Sequence, residues 1–100
     1  MQDWKLMADL ERVAIERYDG HFAVLRFTAN WRVCFTTPET SMFDGSVSGM
    51  AVGATFAAAA LTALAIEADN PGQWYDRLEK AATEALAENH ATWGRLSNSI

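Results

Sequence analysis

Residues 19–36, which read DGHFAVLRFTANWRVCFT, decide the fold predicted for this chain. His21–Phe27 and Trp31–Thr36 are rich in β-branched and aromatic residues, a composition typical of strands. Thr28-Ala29-Asn30 forms a three-residue connection between them, and Asn30 tolerates positive φ. The stretch therefore predicts an antiparallel β-hairpin.

Alternation along the predicted strands assigns their two faces. One face is expected to pack on the core: Leu25, Phe27, Trp31, Val33 and Phe35. Arg26 and Arg32 are then expected on the outer face. Because a lone two-stranded hairpin is marginally stable in water, it must pack on helices, or its free edge must pair with another strand.

Helices are predicted on both sides of the hairpin. Asp3–Arg17 has apolar residues at helical spacing, with Asp3 as the expected N-cap, and Tyr18-Asp19-Gly20 ends that helix. A second helix is expected from an N-cap at Thr55 to about Ala68. It is apolar nearly all round, which indicates a central, buried helix.

A third helix is predicted from a capping sequence in which Asn70 caps, Pro71 takes the first helical position and Gln73 completes a capping box. It runs to about His90, and Thr37–Val52 is predicted to be a loop. Together these elements predict a single α+β domain over residues 1–100, in the order αββαα.

The net charge of −5 limits the partners expected for this chain. An acidic protein is repelled by bare nucleic acid and by anionic membranes, so direct binding to either is not expected. Gly45–Ile66 contains no charged residue, but it consists mostly of Ala, Gly, Ser and Thr, whose insertion energy is small. We therefore expect a soluble protein without a leader segment, and the single cysteine, Cys34, suits a reducing cytoplasm.

The chain offers few residues for catalysis or metal binding. His21 lies near Asp19, and His90 lies near Glu88, but neither pair has a further ligand at useful spacing. Cys34 shares a predicted strand face with Arg32, which would help a reactive thiolate, but a buried structural cysteine is the more common outcome. We therefore expect no enzymatic activity, no cofactor and no metal site.

Two groups of residues are candidates for binding a macromolecular partner. Arg26, Trp31 and Arg32 surround the hairpin turn, and arginine and tryptophan are frequent hot-spot residues at interfaces. The alternative is that Trp31 is core and that the arginines are solvated or paired with helix acids. The other group is an outward acidic stripe on the third helix: Asp76, Glu79, Glu84 and Glu88. Most such stripes are merely solvated, with Lys80 expected to pair with Asp76 and Glu84.

Residues 19–33 resemble a hairpin found in a group of short, uncharacterised proteins of proteobacteria and their phages. In that group a Met-Ala-x-Gly-Lys-Thr-Phe segment follows and opens an alanine-rich helix. Met50–Phe56 matches this segment except that Ala54 replaces the lysine. The segment lacks the lysine and spacing of a phosphate-binding loop. The resemblance implies a phage or prophage accessory protein, and anti-CRISPR proteins are one class of small acidic binding proteins in that setting.

What the resemblance implies is thus a non-enzymatic, anti-CRISPR-like inhibitor that binds a bacterial defence nucleoprotein complex, such as a CRISPR-Cas effector complex, in the cytoplasm of the bacterial host. It would block nucleic-acid access by covering a basic channel with the acidic helix face or the hairpin. The alternative is a homodimeric structural or assembly module that pairs through the hairpin edge.

Overall fold

The computed structural model describes residues 2–36 and 47–85. The elements are α1 (Asp3–Arg17), β1 (Ala23–Arg26), β2 (Trp31–Cys34), β3 (Ala51–Gly53) and α2 (Phe56–Asp69), followed by α3, which is helical from residue 74 and described through residue 85. The strands form one antiparallel sheet in the order β1-β2-β3. The predicted α+β class is confirmed, and a third strand is added to the hairpin.

Helix α1 has the bounds that its periodicity predicts. Its buried residues, Leu6, Leu10 and Ala14, recur every fourth position and form one stripe on the core. The cap is Gln2 rather than Asp3, and no side chain caps this end. At the other end the N–H groups of Tyr18 and Gly20 both donate to the carbonyl of Ala14, at 2.7 and 2.9 Å.

The predicted register of the hairpin is wrong by one residue. Val24 pairs with Val33 and Leu25 pairs with Arg32, so each pair shares a face. Leu25 and Phe27 therefore lie on the face that carries Arg32, while Arg26 lies opposite Trp31. A slip of one residue exchanges the two faces of a strand, so the two arginines end on opposite faces rather than together.

The tight end of the hairpin explains the slip. The N–H of Phe27 donates to the carbonyl of Asn30 at 2.8 Å, which closes the turn around Thr28 and Ala29. Asn30 has no positive φ, in contrast to the expectation. The connection is therefore shorter by one residue than the predicted Thr28-Ala29-Asn30 loop, and the pairing shifts with it.

Strand β3 occupies part of the stretch predicted to be a loop. Residues 37–46 of that stretch, with its Pro38, lie outside the described part of the chain. Ala51 pairs with Val33, and Gly53 pairs with Trp31. Gly53 leaves no room for a side chain, because an added Cβ would lie 2.4 Å from the backbone nitrogen of Ala59. This close approach seats β3 against the first turn of α2.

Helix α2 begins as predicted, since the Thr55 side chain accepts a hydrogen bond from the N–H of Ala58 at 3.1 Å. It is not buried all round, because Leu61 and Ala65 are exposed. One stripe faces the core: Phe56, Ala59, Ala60, Ala63 and Glu67. The small alanines let the sheet and α1 approach this helix closely, which is why many of them are needed.

Aromatic rings fill the core between the sheet and the helices. Phe35 stacks on Tyr18 at 5.4 Å between ring centroids and meets Trp74 edge-on at 6.2 Å. Trp31 meets Phe56 edge-on at 5.9 Å. These contacts join α1, the sheet, α2 and α3 in one core, and such pairs stabilise beyond the area they bury.

The start of α3 differs from the capping prediction. Gly72 has φ of 78°, which a helix cannot accommodate, so Pro71 and Gly72 form a turn before the helix. The carbonyl of Gln73 accepts the N–H of Arg77 at 3.0 Å, so Gln73 is the N-cap and the helix begins at Trp74. The predicted extension to His90 lies beyond the described residues. Within the described ranges, no helix has the length and apolarity to cross a membrane.

Candidate binding surfaces

Cys34 lies in an environment that opposes a reactive thiolate. It shares a sheet face with Arg32, as expected, but its side chain is fully buried. Its Sγ donates to the carbonyl of Thr36 at 3.3 Å. Burial raises the pKa of the thiol to about 12, so the nucleophilic form is scarce near neutral pH.

The histidine pairs singled out in the sequence form no ligand cluster among residues 2–36 and 47–85. His21 is exposed, and its backbone carbonyl accepts the N–H of Thr36 at 3.1 Å. No group of three potential metal ligands occurs in that part of the chain. His90 and Glu88 lie outside it.

The segment Met50–Phe56 that carries the family resemblance has a structural role in this fold. It supplies β3, the close packing of Gly53 and the N-cap Thr55, and it ends in the buried Phe56. Ala54, which replaces the lysine of the segment in the predicted resemblance, is exposed. The neighbouring Gly49 lies in a turn.

On one face of the hairpin, Arg26 stacks on Trp31. The Arg26 guanidinium carbon lies 5.3 Å from the centroid of the Trp31 ring, within cation–π range. Arg26 is exposed, whereas Trp31 is half-buried because its other contacts are with the core. Trp31 therefore packs on the core, as the alternative predicts, and its ring also contacts the exposed Arg26.

On the opposite face, Arg32 is fixed by three contacts. Its guanidinium carbon lies 5.4 Å from the centroid of the Phe27 ring. Its Nη1 donates to the carbonyl of Val47 at 2.8 Å, and its Nε donates to Asn30 Oδ1 at 3.3 Å. Phe27 itself is 37% exposed.

We call the end of the hairpin formed by Arg26, Phe27, Trp31 and Arg32 the hairpin surface. No carboxylate of the described residues lies within 4.0 Å of either arginine. The surface therefore carries two positive charges on an otherwise acidic chain, each held against an aromatic ring. Ordered side chains of this kind lose little entropy on binding.

The acidic stripe of α3 is less uniform than its sequence suggests. Asp76, Glu79 and Glu84 are exposed, as predicted, and Glu88 lies outside the described residues. Lys80 and Arg77 are exposed on the same helix. The expected pairs of Lys80 with Asp76 and Glu84 do not form, because no ion pair within 4.0 Å joins them.

Glu67 is a buried carboxylate that sequence reasoning missed. It is 2% exposed and accepts hydrogen bonds from the Tyr18 hydroxyl and from the N–H of Gly72 at 3.0 Å. Its Oε2 lies 3.3 Å from Nη1 of Arg17. Burial of the Tyr18 hydroxyl and its hydrogen bond to Glu67 raise the pKa of Tyr18 to about 12. A single acid on the apolar stripe of α2 was the signal that could have revealed it.

Comparison with known proteins adds no relative: no family model, curated protein or solved structure matches the chain. Functional assignment therefore depends on the surfaces described above.

Proposed function

We propose that this chain is a non-enzymatic protein-binding domain that contacts its partner through the hairpin surface. The observation that carries the proposal is the pair of arginines held against Trp31 and Phe27 at an exposed sheet end. Neither arginine has an acidic partner among the described residues. Aromatic residues and arginine are enriched at the energetic centres of protein interfaces.

The narrower proposal is that the partner is a bacterial defence nucleoprotein complex, such as a CRISPR-Cas effector complex, which the protein inhibits. The net charge of −5 supports a partner with basic surface around the contact. The resemblance to short phage-associated proteins supports the setting. In this arrangement the hairpin surface anchors the protein, and the acids of α3 cover basic surface that would otherwise take nucleic acid.

Combined replacement of Arg26 and Phe27 by alanine is expected to weaken capture of such a complex from host lysate by about 1000-fold, since two hot-spot residues at about 2 kcal/mol each contribute about 4 kcal/mol. Both side chains are exposed, so the fold should persist. Quantitative affinity capture from lysate compares the variants, and titration with the purified nucleoprotein complex gives the dissociation constant.

Reversal of Asp76 and Glu79 to lysine tests the acidic face of α3 and should reduce the salt dependence of binding.

The matched control is Arg12→Ala, which removes an exposed arginine of α1 that already lies 3.8 Å from both Asp9 and Glu16. It should leave capture unchanged. Equal losses for the control and the hairpin variant would contradict the proposal. Capture of free nucleic acid in place of a protein complex would also contradict it.

A second candidate function, a homodimeric assembly module, is favoured by the outer edge of β1, which pairs with no strand among the described residues. Hydrogen-bonded and non-bonded pairs alternate along an antiparallel ladder. Phe27 and Asn30 form a hydrogen-bonded pair, so the next hydrogen-bonded pair along the ladder is Leu25 and Arg32. The N–H groups of the residues between and beyond, Arg26 and Val24, therefore point away from β2, towards the outer edge of the sheet. An unpaired edge of this kind can add a strand from a second copy.

If this module exists, light scattering at high concentration should give twice the chain mass of 11.0 kDa. Val24→Pro should then return the protein to a monomer, because proline removes an outward N–H without breaking the β1–β2 ladder. Circular dichroism checks that the variant is folded. A strict monomer for the unmodified protein at high concentration would eliminate this candidate.

A further inference from the structure

A groove of about 520 Å³ lies between the turn at Ser48 and Gly49, the end of α2 and the first turns of α3. Trp74, Arg77 and Lys80 line it from α3, and Ile66 lines it from α2. The groove lies away from the hairpin surface and is lined by none of its residues. Its volume is in the range that holds a small organic molecule.

Arg77 is fixed in this groove rather than extended into solvent. Its Nε donates to the carbonyl of Gly49 at 2.7 Å, and its guanidinium carbon lies 5.3 Å from the centroid of the Trp74 ring. The turn that supplies this carbonyl packs closely on α3, since a Cβ on Gly49 would lie 2.9 Å from Cβ of Ala81. The guanidinium is thus preorganised, with its terminal N–H groups available to an acceptor.

Lys80 supplies a second cation one helical turn further along α3. No described carboxylate lies within 4.0 Å of Lys80 or Arg77. Asp76 and Glu84 flank Lys80 along the helix and also line the groove. Two cations beside two anions favour a ligand with one negative charge over a dianion, which the carboxylates would repel.

Trp74 lines the groove with a buried indole ring. It is 1% exposed, and its ring centroid lies 5.3 Å from the guanidinium carbon of Arg77. Its Nε1 has no hydrogen-bond acceptor among the described residues, but that atom is itself buried, so a ligand in the groove would contact the ring and not this N–H. Arg77 and Lys80 line the same groove.

We propose that this groove binds a small organic carboxylate. Its carboxylate would accept hydrogen bonds from Arg77 and Lys80, and its apolar body would lie against Ile66, Trp74 and Ala81. The ligand must therefore carry one negative charge joined to an aliphatic or aromatic group. Binding of such a ligand requires no partner protein, so this proposal is independent of the hairpin surface.

The test follows the assigned Nε1–H resonance of Trp74 in ¹⁵N-labelled protein during titration at constant ionic strength. The probes are benzoate, acetate, inorganic phosphate and benzyl alcohol, the last having the ring of benzoate without its charge. Benzoate should give a saturable shift and bind more tightly than acetate or phosphate. Benzyl alcohol should bind at least tenfold more weakly, because charge-assisted hydrogen bonds are lost.

Lys80→Gln should weaken benzoate binding about tenfold, since it removes one cation and leaves the contact between Arg77 and Gly49 in place. Arg12→Gln, on the exposed side of α1, should have no effect. The proposal is overturned if benzoate and benzyl alcohol bind equally, if phosphate binds more tightly than benzoate, or if Lys80→Gln leaves the affinity unchanged. Absence of any shift at tens of millimolar benzoate would also overturn it.

Discussion

Gly53→Ala is expected to lower the free energy of unfolding by about 3 kcal/mol, the upper part of the usual range for overpacking. The added Cβ would lie 2.4 Å from the backbone nitrogen of Ala59 and 2.8 Å from the carbonyl carbon of Ala58. Backbone atoms in the first turn of a helix cannot move aside as a flexible side chain can. Strand β3 must therefore separate from α2, and urea denaturation measures the cost.

The control for this substitution is the adjacent Ala54→Lys. Ala54 is exposed, so its replacement should change stability by no more than about 0.5 kcal/mol. If Gly53→Ala proved as stable as the unmodified protein, the close approach of β3 to α2 would be wrong.

Glu67→Ala is expected to cost about 3 kcal/mol, because it leaves the Tyr18 hydroxyl and the Arg17 guanidinium without their acceptor. For a domain of this size the midpoint of thermal unfolding should fall by at least about 10 °C. Glu67→Gln should lose less, since its amide oxygen can still accept from Tyr18 and from the N–H of Gly72. Calorimetry measures both variants.

Glu11→Ala, which replaces an exposed acid of α1, is the matched control for Glu67→Ala and should leave the stability nearly unchanged.

The buried cluster of Tyr18 and Glu67 also predicts a loss of stability in alkali. Because the folded-state pKa of Tyr18 is raised to about 12 from its ordinary value of 10.0, its contribution is present below pH 10 and is lost as the pH rises towards 12. Burial of Cys34, which raises the pKa of its thiol to about 12, adds a loss of its own in the same range. A Tyr18→Phe variant with a smaller alkaline loss than the unmodified protein would confirm the contribution of Tyr18, whereas an unchanged profile would contradict it.

Local sequence patterns were sufficient to predict those elements whose hydrogen bonds and apolar spacing lie within the element itself. The bounds of α1 follow from its apolar spacing and the turn at Asp19-Gly20, and the start of α2 follows from Thr55. In each case a short-range hydrogen bond or a side-chain stripe determines the element. The order of helix, hairpin and helices could therefore be predicted.

Features that depend on a partner element could not be predicted in this way. Strand β3 contains only Ala51, Val52 and Gly53, whose extended conformation comes from pairing with β2 rather than from intrinsic preference. The hairpin faces depended on the length of the turn, so one misplaced residue placed Leu25, rather than Val24, on the same face as Val33.

The same distinction applies to the candidate sites. Arg26, Trp31 and Arg32 could be selected by residue type, but their arrangement on two faces required the register. Arg77 and Lys80 were not selected, because the partner-binding prediction for α3 rested on its acids and Lys80 was expected to pair with Asp76 and Glu84. Those pairs are absent among the described residues, and the turn at Gly49 that fixes Arg77 comes from a segment distant in sequence.

Photo-crosslinking from the hairpin surface tests the proposed function most directly. The benzophenone analogue of phenylalanine replaces Phe27 in one variant and, as the comparison, replaces the 64% exposed Ile15 of α1 in another. On irradiation in host cells, the probe at position 27 should attach to a protein subunit of a nucleoprotein complex, and the probe at position 15 should not. Adducts formed only from position 15, or only with nucleic acid, would contradict a partner site at the end of the hairpin.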